Sequence, residues 1–99
     1  MGDAEPQDIT RLMGLSHKEF LRSLPAAVRG MTCHAEGAHI RIWDAQKTIN
    51  IHLGPEQERR LGSLVLPQTR VTVRFEGCSA EQREAFLKRF ELAFQRGGG

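Results

Sequence analysis

Apolar residues recur along this chain with two different periods, and the switch between them outlines its elements. Phe20, Leu21, Leu24, Ala27 and Val28 follow the spacing of one helix face. Ser16-His17-Lys18-Glu19, just before this run, reads as a capping box. Its hydroxyl and carboxylate can each satisfy a backbone donor that the first turn leaves unpaired. Leu15 and Phe20 flank the cap as a hydrophobic staple. Pro25 lacks a donor and crowds the preceding turn. A kink or stop is therefore expected near Leu24, then a short continuation to Arg29 and an end at Gly30.

The period then drops to two. Met31 to Ala35, Ala38 to Asp44 and Lys47 to Leu53 alternate apolar and polar residues, which predicts three strands. Glu36-Gly37 and Ala45-Gln46 are expected as two-residue turns between them. Gly54-Pro55 breaks the pattern. Pro55 suits a first helical position, Glu56 and Glu58 suit the positive end, and Gly62 suits the stop, so a short helix is expected. Leu64-Val65-Leu66-Pro67 reads as a connector and Thr69 to Glu76 as a fourth strand. The last helix opens on Ser79 with Gln82 three residues on. It carries Phe86, Phe90, Ala93 and Phe94 as one stripe flanked by Leu87, with Glu84 and Lys88 paired on the other face.

The expected order is α-β-β-β-(short α)-β-α. It implies an α+β two-layer sandwich, an antiparallel sheet with helices packed on one face. Residues 1–9 are expected as a flexible arm, 10–96 as one domain and 97–99 as a flexible tail. The inward strand positions are Met31, Cys33, Ala35, Ile40, Ile42, Ile49, Ile51, Leu53, Val71, Val73 and Phe75. Their clean alternation leaves the other sheet face open.

Composition narrows the function classes. Ninety-nine residues hold one core, and 39% hydrophobic with 26% charged residues is ordinary globular usage, which excludes a disordered chain. The net charge of +2 excludes a purely electrostatic binder. No apolar run approaches the roughly 20 residues a membrane span needs. The first residues lack a basic and then apolar leader, so a cytoplasmic protein without a membrane partner is expected. Two cysteines make no disulfide framework. There is no nucleophile elbow, phosphate loop, dinucleotide fingerprint or metalloprotease motif, so a non-enzymatic protein without a cofactor is expected.

The open face carries the distinctive chemistry. A turn at Ala45-Gln46 sets His39 opposite His52, and a turn at Glu36-Gly37 sets His34 opposite His39. The three imidazoles then form one row, a metal-ligand candidate for zinc, copper or nickel. The outer two stand nearly two strand spacings apart, and no acid is placed to orient them. Arg41, Trp43, Asn50, Arg70 and Arg74 share this face, with the acids expected mainly on helices, turns and the arm. Trp and Arg are common interface anchors, so a protein partner or self-association through this face is the leading expectation. A nucleic-acid-binding or metal-binding accessory protein is the alternative. Cys78 precedes a helix start, where the dipole lowers a thiol pKa, so it is the reactive-thiol candidate. Cys33 is expected to be inert core.

Overall fold

A computed structural model of the chain describes residues 7–98. The protein is α+β: an open antiparallel sheet of six strands and two helices. In chain order these are β1 (Gln7–Met13), α1 (His17–Ala27), β2 (Thr32–Glu36), β3 (His39–Trp43), β4 (Thr48–Leu53), β5 (Gln57–Leu61), β6 (Leu64–Glu76) and α2 (Ala80–Gly98). The sheet order is β1-β6-β4-β3-β2, and β5 pairs with the first part of β6.

Both helices start as their caps dictate. Ser16 Oγ accepts from the Glu19 N–H at 3.1 Å, and Glu19 accepts from the Ser16 N–H at 2.9 Å. Ser79 and Gln82 repeat this exchange at 3.1 and 2.8 Å. Pro25 lies inside α1, which ends two residues later, before the expected Arg29. The Val28 N–H closes back on the Pro25 carbonyl at 3.3 Å, and Gly30, at φ 82°, turns the chain toward β2.

The core joins the two helices to one face of the sheet. Phe20, Leu24 and Ala27 from α1 and Phe86, Phe90 and Phe94 from α2 share one cluster with Ile40, Ile42, Ile49, Ile51, Leu53, Val71, Val73 and Phe75. Phe20 stacks on Phe94 with ring centroids 4.9 Å apart, and Phe75 meets Phe86 edge-on at 5.8 Å. All five phenylalanines thus belong to one aromatic chain. Buried Thr69 donates its hydroxyl to the Leu15 carbonyl at 2.8 Å, tying β6 to the start of α1.

Five expectations are corrected. Residues 7–9, assigned to an arm, open strand β1, which pairs along β6 from Gln7–Phe75 to Met13–Thr69. The rest of that arm lies outside the described residues. At the other end, Gly97 and Gly98 continue α2 instead of forming a tail. Gly99 lies outside the described residues.

The expected short helix is strand β5 instead. Leu61 and Leu64 pair across Gly62-Ser63, with Gly62 at φ 62°, so Gly62 closes a hairpin and not a helix. Leu53 pairs with Val71 and Gln57 with Gln68, so three residues of one strand face two of the other. That is a β-bulge at 54–56, and β4 and β5 form one long interrupted partner of β6. The expected connector at 64–67 is the outer part of β6. Even-numbered residues there face β4 and β5, since the Arg70 carbonyl accepts from Gly54 at 2.8 Å. Pro67 therefore turns its missing N–H to the opposite edge, where proline is tolerated.

The first hairpin turn also differs. Glu36 pairs with His39, so the turn residues are Gly37-Ala38 and not Glu36-Gly37. Gly37 has φ 61°, and no residue but glycine has positive φ among the described residues. A tight turn with one positive-φ position places glycine first, which fixes this register.

Candidate functional site

The sheet face away from the helices remains open, as the alternation requires. The register sorts its side chains into cross-strand rows. Glu36, His39, His52, Thr72 and Thr10 form one row; His34, Arg41, Asn50, Arg74 and Asp8 form the next; Thr32, Trp43, Thr48 and Glu76 form a third. Arg70 lies beside Leu12 at the margin.

The histidine row is only partly assembled. His39 stands opposite His52, as expected, whereas His34 stands opposite Arg41. The two-position slip comes from the Gly37 turn, and being even it keeps every residue on its expected face. Among the described residues, no group of three His, Cys, Asp or Glu side chains is placed to hold a metal ion. The fourth histidine, His17, has a structural contact: its Nε2 meets the Gly54 carbonyl at 2.6 Å, joining α1 to the bulge.

Hydrogen bonds organise the middle of the face. Asn50 donates its amide to Glu76 at 3.0 Å, and its carbonyl oxygen lies 3.2 Å from His39 Nε2. Arg74 makes two parallel bonds to Asp8, at 2.7 and 3.0 Å. The Arg74 guanidinium holds the Asp8 carboxyl below its usual pKa, and Asp8 raises that of Arg74. Arg41 lies over the Trp43 ring at 5.6 Å, a cation–π pair on a half-buried tryptophan.

Charge on this face differs from the expectation. Glu36, Glu76 and Asp8 stand among Arg41, Arg59, Arg70 and Arg74, so the face is mixed in charge and not uniformly cationic. Asp8 comes from β1, whose strand character the sequence reading missed. Arg41 and Arg70 have no carboxylate within ion-pair distance among the described residues.

The two thiols exchange their expected environments. Cys78 is buried, with Sγ 3.7 Å from the Glu76 carbonyl, and burial raises its pKa despite nearby Lys47 and Arg83. Burial, the largest cause, therefore works against the activation expected of this thiol. Cys33 is exposed on β2, as is Ala35, because the helices do not cover that edge strand.

Two surfaces were missed. On the helix side, Arg22, Arg29 and Arg89 line an open groove of about 830 Å³ together with Ala26, Leu92 and Ala93, with no acid in its lining. The spacing of Arg22, Ala26 and Arg29 was the available signal for it. The second is the β5–β6 hairpin, which exposes Leu61, Leu64, Val65 and Leu66. No protein-family model, curated protein or solved structure matches this chain.

Proposed function

We propose that this protein is a small non-enzymatic interaction module that binds a protein partner through the open sheet face. The observation that carries this reading is the Arg41–Trp43 pair. A half-buried indole under an unpaired guanidinium is the type of group that anchors protein interfaces. His39, Asn50 and His52 beside it supply hydrogen-bonding groups on rigid strands. The acids Glu36, Glu76 and Asp8 on this face favour a protein over a polyanion, which they would repel.

Site-specific photo-crosslinking in cells tests the reading. A photoreactive residue replacing Thr48, between Trp43 and Glu76 on the open face, should capture a discrete protein. The same residue replacing Glu84 on α2 should not, and Trp43→Ala should abolish the Thr48 product. Equal capture from both positions, or none from Thr48, defeats the proposal. A short single-stranded oligonucleotide at low salt should not bind, and tight, salt-dependent binding would favour the nucleic-acid reading instead.

A further inference from the structure

We propose that the outer edge of β2 is a self-association site, where the strand pairs antiparallel with β2 of a second copy and joins two sheets into one. The backbone supplies the first argument. Glu36 and His39 flank a two-residue turn, so Glu36, His34 and Thr32 direct their N–H and C=O groups to β3. The Ala38 carbonyl, which accepts from Leu53 at 2.8 Å, agrees with this phase by facing β4. Cys33 and Ala35 therefore point their backbone groups to the outer edge, where no strand lies among the described residues.

Side chains supply the second. Cys33 and Ala35 lie on the core-side face of β2, yet both are exposed, while Ile40 and Ile42 on the next strand are fully buried. The strand is patterned for a covered face that a single chain does not provide. Edge protection supplies the third. Thr32–Glu36 has no proline, lysine or bulge, the usual guards of a sheet edge. The β5–β6 hairpin has Pro67 at its edge. β1 holds Asp8 and Arg11 in ion pairs with Arg74 and Glu91, and its Ile9 and Met13 pack on the core.

The segment is also complementary to itself. With the two-fold axis at His34, Cys33 of each copy faces Ala35 of the other. All outward backbone groups of both residues then pair, and small apolar side chains meet on the core-side face. On the open face Glu36 of each copy meets Thr32 of the other, so no two carboxylates oppose each other, which favours a second copy as the occupant. The axis stands perpendicular to the sheet, so both Trp43 surfaces point the same way. A short strand contact alone lies below the roughly 1,200 Å² of standard interfaces, so a dissociation constant on the order of 100 μM is expected.

Sedimentation of the full chain with reductant, from about 10 μM to about 1 mM, reads this directly. The average mass should rise from 11.1 kDa toward twice that value. Ala35→Pro deletes an outward N–H without touching the ladder to β3, and should hold the protein monomeric with an unchanged circular dichroism spectrum. Cys33→Lys, a charge on the exposed strand, should do the same and serves if the proline variant misfolds. A monomeric wild type at 1 mM, or association of both variants like the wild type, overturns the proposal. Trp43→Ala should still dimerise. Its failure to do so would move self-association to the open face, whereas lost crosslinking from Thr48 would count only against the binding-face reading.

Discussion

Strand β6 passes through two environments with one pattern. From Thr69 to Glu76 it lies between β1 and β4, and Thr69, Val71, Val73 and Phe75 are buried. From Leu64 to Gln68 only β5 accompanies it, and Leu64, Val65 and Leu66 are exposed. Both stretches are rich in apolar residues. The helices above the inner stretch, and not strand composition, decide which of them become core. β2 repeats the lesson on the opposite side of the sheet, where Cys33 and Ala35 keep the apolar phase without a cover.

The largest contrast should be chemical. Iodoacetamide should modify Cys33, on the uncovered margin, at least about 100-fold faster than Cys78, whose reaction awaits opening of the covered core. Mass spectrometry of partly alkylated native protein measures the ratio, and similar rates would erase the distinction. In urea unfolding, Phe75→Ala should cost about 3–5 kcal/mol because it removes the ring against Phe86. Leu66→Ala, on the same strand but uncovered, should change stability by no more than about 0.5 kcal/mol. Thr69→Val tests the boundary between the stretches. It leaves the Leu15 carbonyl without its 2.8 Å partner and should cost about 1–3 kcal/mol, visible as a lower midpoint with an unchanged m-value.

The smallest effect belongs to the surface. Hydrogen bonds from Lys47 and from the Gln46 backbone lower the Asp44 pKa from 3.8 to about 2. Its folded-state value is depressed, so its contribution is fully present above the unfolded pKa and is lost as pH falls through about 2. Stability measured between about pH 5 and pH 2 should therefore fall less steeply in Asp44→Asn than in the wild type.

Much of the fold was legible in the sequence. Both capping boxes, the helical phenylalanine stripe and the strands β2, β3 and β4 lie where periodicity puts them, within about two residues. What escaped was structure made by partners instead of pattern. β1 presents Arg11 where its alternation needed an apolar residue, and only Glu91 across the fold accounts for it. Gln57-Glu58-Arg59-Arg60 has no apolar phase, so its strand character comes from β6 and the Gly62 turn. On the site, parity made the face legible but the turn set the rows. Every named residue except Cys78 is on the open face, while His34 lies two positions from its expected neighbour. Cys78 failed for a different reason: a helix start is visible in sequence, but the burial that raises the thiol pKa is not.

The pairing of β1 with β6 also shapes how the molecule assembles. Asp8 and Arg74 are 66 positions apart, whereas the Gly62-Ser63 turn joins strands that are neighbours in sequence. A local hairpin forms in microseconds, and distant ends meet only after a larger entropic cost of loop closure. During synthesis β1 leaves the ribosome before the other described strands, yet the strand edge it pairs with exists only once β6 has been made. Until then Asp8 has no guanidinium partner, and the nascent chain carries an uncompensated anion that the finished protein pairs with Arg74.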